Sequence, residues 1–128
     1  MAQEQKTIII VEDEPDTAEM FAEMMRLSGF QVVKSYSGRP AITLITETRP
    51  DAIVLDLMMP DISGLEVMSF IRSDPHLDKI PVIIVSAKSL PSDIKTGLDA
   101  GAVTYLTKPV AFKELKMAVE NAIRGSEK

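Results

Sequence analysis

Four short apolar runs, rich in β-branched residues, each give way to a residue type suited to metal or phosphoryl chemistry, and no other feature constrains the fold as strongly. Ile8-Ile9-Ile10-Val11 leads to Glu12-Asp13, Ile53-Val54-Leu55 to Asp56, Val82-Ile83-Ile84-Val85 to Ser86, and the run from Val103 to Leu106 to Thr107-Lys108. Continuous apolar runs of this length read as strands buried on both faces. Longer segments of helical period separate them, which is the alternation of an α/β protein with a parallel sheet. In such a sheet the carboxyl ends of the strands share one edge, where open α/β folds place their ligand sites. Three acids, a hydroxyl and an ammonium then converge there.

A weaker strand, Gln31 to Ser35, brings the expected total to five strands and five helices. Pro15 suits a first helical position, and Ala18, Phe21, Met24, Met25 and Leu27 form a stripe that Ser28-Gly29 ends. Ala41, Leu44 and Ile45 mark a second helix, closed by Arg49-Pro50. Ser63-Gly64-Leu65-Glu66 has the form of a capping box, so a third helix starts near Ser63. The segment Pro91 to Ala100 has only Ile94 and Leu98 as anchors and contains Gly97, which predicts a loosely held fourth helix. Phe112, Leu115, Val119, Ala122 and Ile123 predict a fifth that runs to Gly125, with Ser126-Glu127-Lys128 frayed. The methionines of the first helix read as gap-filling core.

At 128 residues the chain is the size of one domain, and its net charge of −5 disfavours an electrostatic grip on nucleic acid or anionic membranes by the domain itself. With no cysteine there is no disulfide framework, thiolate metal site or cysteine nucleophile. The apolar runs are far shorter than a membrane span, and Met1 to Lys6 lacks the apolar stretch of a signal peptide, so the expected location is cytoplasmic.

The chemistry follows from the residue types. Mg²⁺ takes one or two carboxylates and keeps waters and phosphate oxygens for its other positions, which suits Asp13 and Asp56 as direct ligands. A carboxylate can attack phosphorus when metal and cation neutralise the transferring group, and Lys108 can supply the cation. The Ser86 hydroxyl can hydrogen-bond a phosphoryl oxygen. The sole histidine, His76, sits in a polar stretch, and no serine–histidine pairing is indicated.

These residues and their neighbours resemble the receiver domain of two-component response regulators. The resemblance rests on Val11-Glu12-Asp13-Glu14-Pro15, on Leu55-Asp56-Leu57-Met58-Met59-Pro60 with Gly64 beyond it, on Val85-Ser86-Ala87, and on Gly101-Ala102 through Tyr105-Leu106-Thr107-Lys108-Pro109. It covers roughly residues 6–124 of a single domain spanning 1–128. It implies a flavodoxin-like doubly wound (βα)5 fold with strand order 2-1-3-4-5, an order for which a chemotaxis member of the family is itself the standard example. It further implies that Asp56 accepts the phosphoryl group and that Asp13, Asp56 and the Met58 carbonyl bind Mg²⁺, with Glu12 reaching it through water. Ser86 and Tyr105 become a switch pair, Lys108 contacts the phosphoryl group, and the peptide before Pro109 is cis.

The resemblance also implies the partners: a histidine kinase or phosphotransfer protein as donor, and an output partner or effector domain. By the same resemblance the domain is expected to work as a monomer or a phosphorylation-dependent dimer, and to be no enzyme beyond catalysing its own phosphorylation and dephosphorylation. Receivers that drive DNA-binding domains usually pair an acid before the switch aromatic with an arginine in the fifth helix; here Thr104 and Ala118 stand there, which puts that dimer in doubt. One alternative is a Mg²⁺-dependent phosphohydrolase with an aspartyl nucleophile, but Met58 occupies the place of its usual second acid. Another is a receiver-like interaction module that works without phosphorylation, against which the complete acid set and Lys108 argue.

Overall fold

The structure is a computed structural model that describes residues 5–126. Strands β1 (Thr7–Val11), β2 (Gln31–Ser35), β3 (Ala52–Leu55), β4 (Val82–Ser86) and β5 (Thr104–Thr107) alternate with helices α1 (Pro15–Leu27), α2 (Gly38–Thr48), α3 (Gly64–Ser73), α4 (Pro91–Asp99) and α5 (Phe112–Ser126). All four strand pairs are parallel, in the order β2-β1-β3-β4-β5. The fold is therefore the flavodoxin-like doubly wound sheet.

Side chains alternate across each strand and feed two cores. Ile9, Val11, Ile53, Leu55 and Ile84 pack with Ala41 and Ile45 of α2 and Val67, Met68 and Ile71 of α3. Ile8, Ile10, Val54, Ile83 and Val85 pack with Phe21 and Met25 of α1 and Leu115, Val119 and Ile123 of α5. Each fully buried valine, leucine, isoleucine, methionine or phenylalanine among them contributes roughly 1.5–3 kcal/mol relative to leaving it in water.

Several expectations are corrected. Burial on both faces holds for β1, β3 and β4 apart from Thr7, but β5 is half-buried along its length, and in β2 only Ser35 is buried, because both are sheet edges. The fourth run is shifted by one: Val103 is exposed and the strand starts at Thr104. Leu27 and Phe112 lie on the margins of their apolar stripes and are exposed, while Ala22 is core. Helix α5 continues through Gly125 to Ser126; of the expected frayed end, Glu127 and Lys128 lie outside the described residues.

Gly97 has a role beyond low helix propensity. It is the one buried residue of α4, and a Cβ there would come within 2.8 Å of Tyr105 Cδ2 and 2.9 Å of Ile84 Cδ1. The glycine lets the helix backbone lie against β5. At the amino ends of β4 and β5, the Arg72 guanidinium donates to the carbonyls of Asp78 (3.1 Å), Ile80 (2.9 Å) and Gly101 (2.8 Å), tying α3 to the connections before these strands.

Candidate functional site

Parallel pairing continues past the strands and sets the site. Val11 is paired with Leu55, so the next residues, Glu12 and Asp56, leave the sheet side by side. The N–H of Asp56 donates to Val11 O and that of Glu12 to Ser35 O, both at 2.9 Å. On the other side, the N–H of Lys108 donates to Ser86 O at 3.0 Å, which holds the end of β5 beside β4.

One carboxylate oxygen from each of Glu12, Asp13 and Asp56 lies within 4.8 Å of the others. Glu12 and Asp56 are buried and Asp13 is exposed, so the cluster opens to solvent on one side. Lys108 Nζ donates to Glu12 Oε1 at 2.7 Å and to Asp56 Oδ2 at 3.1 Å. The Lys108–Pro109 peptide that follows it is cis. The remaining oxygens are also engaged: Glu12 Oε2 accepts from Glu14 N–H at 3.1 Å and Asp56 Oδ1 from Met58 N–H at 3.2 Å.

Burial, together with the nearby Asp56 charge, holds the Glu12 carboxyl above its ordinary range despite the opposing hydrogen bonds from Lys108 and Glu14. Burial pulls the other way on Lys108, but the bonds to Glu12 and Asp56 win and its ammonium is held more firmly than usual. Three carboxylates and one ammonium leave the pocket anionic. Hard oxygen donors at this spacing, one flank open to water, fit a divalent cation of the Mg²⁺ type.

The β3–α3 turn is shaped by Gly64, where a Cβ would run into Asp56 O and lie 2.7 Å from Leu57 Cα. Its N–H donates to Leu57 O at 2.9 Å, and the Ser63–Glu66 capping box starts α3 at this residue. Ser86 is fully buried, and its Oγ accepts from Lys88 N–H at 3.1 Å. The Tyr105 hydroxyl donates to Lys88 O at 2.7 Å. Burial lifts the Tyr105 phenol above its ordinary range, with the neighbouring Ser86 hydroxyl opposing. Glu12, Asp13, Asp56 and Lys108 are thus one cluster, with Met58 attached through its N–H. Ser86 and Tyr105 meet at the Lys88 peptide. Sequence reasoning missed Lys88 and also Asp61, whose carboxylate accepts from Gly38 and Arg39 N–H at the start of α2.

A flavodoxin-like (βα)5 domain with an acid cluster and a paired lysine at the carboxyl edge of its sheet defines the class. Within that class, a sequence model of the response regulator receiver domain matches residues 8–120, and the chain belongs to that family. It is 36% identical over 120 residues to the DNA-binding response regulator MtrA of Mycolicibacterium smegmatis, covering 94% of this chain and 51% of that protein. The chain thus spans about half the length of the regulators it matches. The signal receiver domain of a signal transduction histidine kinase from Syntrophus aciditrophicus superposes with a TM-score of 0.86 at 33% identity, covering 94% of this chain and 91% of that one. The receiver domain of the sensor histidine kinase PA1611 from Pseudomonas aeruginosa PAO1, solved with a magnesium ion coordinated in its active site cleft, gives 0.87 at 29% identity over 94% and 99% of the two chains.

Proposed function

We propose that this chain, as one receiver domain over residues 1–128, accepts a phosphoryl group on Asp56 from a histidine kinase or phosphotransfer protein and slowly returns it to water. The observation that carries the reading is the placement of Lys108 Nζ against both Glu12 and Asp56 at the rim of the acid cluster. Asp56 keeps one oxygen turned to Lys108 and the other to Met58 N–H, so its carboxylate is oriented before any donor arrives. Asp13, Asp56 and the Met58 carbonyl would hold Mg²⁺, with Glu12 acting through water. When bound, the cation neutralises phosphoryl oxygens and leaves the aspartate free to attack.

In the transfer, an Asp56 oxygen forms a bond to phosphorus while the donor's phosphorus–nitrogen bond breaks, its electron pair leaving on the imidazole. Lys108 then turns from its carboxylates towards the new phosphoryl oxygens, and the Ser86 hydroxyl donates to one of them. That reorientation takes Oγ from Lys88 N–H and frees Tyr105 to follow, remodelling the α4–β5–α5 face that an output partner or effector domain reads. The chain is then a signalling component that turns over only its own phosphoryl group, working in the cytoplasm as a monomer or phosphorylation-dependent dimer. Among the described residues no helix is long and apolar enough to cross a membrane. Incubation with acetyl phosphate and Mg²⁺, read by intact mass under mild conditions, tests the reading. One added phosphoryl group that Asp56→Asn abolishes is expected, and labelling that survives Asp56→Asn overturns the assignment.

A further inference from the structure

Asp61 takes no part in the acid cluster, yet both of its carboxylate oxygens are engaged by another element. Oδ1 accepts from Gly38 N–H and Oδ2 from Arg39 N–H, each at 2.8 Å. A helix leaves its first amides without intrahelical acceptors, and the N-cap of α2, Ser37, makes no side-chain cap bond. Asp61 therefore fills from across the molecule the place that Ser37 leaves open. Ile62 packs over the same turn and leaves no room for a side chain at Gly38, where a Cβ would lie 2.5 Å from Ile62 Cγ1. The amides of Arg39 and Gly38 hold the Asp61 carboxyl down at about 2, so it is ionised and accepting throughout the physiological range.

The segment held by this grip is the loop of residues 57–62, which carries the Met58 carbonyl. Its ends are fixed by Asp56 N–H on Val11 O and by Gly64 N–H on Leu57 O, both at 2.9 Å. Between them Met58, Pro60 and Asp61 are exposed, and the Asp61 carboxylate attaches this stretch to α2. A loop tied at both ends and again at Asp61 has few conformations left to lose when its carbonyl is called on as a ligand.

We propose that Asp61 is a positioning residue for the divalent cation: by clamping the 57–62 loop to the first turn of α2, it holds the Met58 carbonyl where the metal requires it. The inference rests on the receiver reading above. Groups that orient metal ligands typically change affinity by tenfold or more, and a loss of about tenfold is expected here.

Calorimetric titration of the full chain with Mg²⁺, alongside metal-free thermal melts, separates this role from plain helix capping. Asp61→Ala should bind about tenfold more weakly. Asp61→Asn, which loses the charge but keeps an acceptor oxygen, should recover most of the affinity. In the double variant Ser37→Asp/Asp61→Ala the charge and the cap return on α2 itself without the tether. It should regain thermal stability while its Mg²⁺ affinity stays low. The inference is overturned if Asp61→Ala binds as wild type, if Asp61→Asn is as weak as Asp61→Ala, or if Ser37→Asp restores affinity together with stability. A wild-type chain that binds no Mg²⁺ would instead sink the receiver reading beneath it.

Discussion

The Tyr105 hydroxyl donates a 2.7 Å hydrogen bond to the backbone carbonyl of Lys88. Because the N–H of the same residue donates to Ser86 Oγ at 3.1 Å, the two proposed switch residues hold one peptide segment from both sides. That segment enters α4 at Pro91, where Leu90 N–H is further held by the Asp93 carboxylate at 3.3 Å. Any event that turns Ser86 Oγ away from Lys88 N–H loosens one half of the clamp.

Removing the Tyr105 hydroxyl should therefore loosen the start of α4 without touching the acid cluster. A neutral hydrogen bond contributes about 1 kcal/mol, which is roughly a fivefold change in a local opening equilibrium. In Tyr105→Phe, amide exchange over residues 88–94 should quicken by about that factor while Mg²⁺ affinity stays unchanged. Unaltered exchange would show that the Lys88 clamp does not restrain α4.

Gly97→Ala should destabilise the domain even though alanine is the better helix former. The gain in propensity is at most about 1 kcal/mol, whereas forcing atoms into a filled contact typically costs 1–3 kcal/mol. The new methyl would sit 2.8 Å from the Tyr105 ring, so relief comes by turning Tyr105 outward and breaking its bond to Lys88. We expect a net loss of about 1–2 kcal/mol in urea melts together with the exchange signature of Tyr105→Phe. An alanine variant as stable as wild type would show that α4 does not press on β5.

Charge crowding predicts the response to metal. Two ionised carboxylates about 5 Å apart repel by roughly 3 kcal/mol at an effective dielectric near 20, before solvent reduces the effect, and Lys108 offsets only part of this in a three-acid cluster. Mg²⁺ at about one hundred times its dissociation constant should add about 2.7 kcal/mol to the folded state. Asp56→Asn, still leaving Glu12 paired with Lys108, should be at least as stable as wild type without metal and gain less from it. Denaturant melts at constant ionic strength check both halves.

Acid sensitivity should depend on Asp61. Its folded pKa of about 2 lies below the ordinary carboxylate value, so its stabilising contribution is complete above that ordinary value and is lost as pH falls through about 2. Asp61→Asn should consequently be less stable than wild type near neutrality, and the gap should close only as the pH drops below about 4. Denaturant midpoints measured across that window give the slope directly; a gap that widens on acidification contradicts the assignment.

The legible part of this protein is the part written locally. Glu12, Asp13, Asp56 and Lys108 each follow an apolar run, so naming the strands already gathers them on one edge, and Ser63 and Glu66 declare their capping box within four residues. What stayed hidden depends on distant partners. Asp61 looks like a turn residue after Pro60, because the amides it accepts from lie on α2, which no short pattern connects to it. The Lys88 clamp uses peptide atoms, which every residue shares. Gly97 reads as a weak spot until Tyr105 and Ile84 are seen pressed against it. The half-burial of β2 and β5 and the exposure of Leu27 and Phe112 follow from which strands are edges and where each helix stripe stops, and both are settled by packing rather than by period.

The central claim, that Asp56 carries the phosphoryl group, is tested most directly by locating the acyl phosphate. Protein treated with acetyl phosphate and Mg²⁺ is reduced with borohydride, which converts an aspartyl phosphate to homoserine, then digested and sequenced by mass spectrometry. The account predicts homoserine at position 56 and nowhere else, absent when Mg²⁺ is withheld. Homoserine at Asp13 or another acid, with Asp56 intact in the labelled fraction, would contradict it.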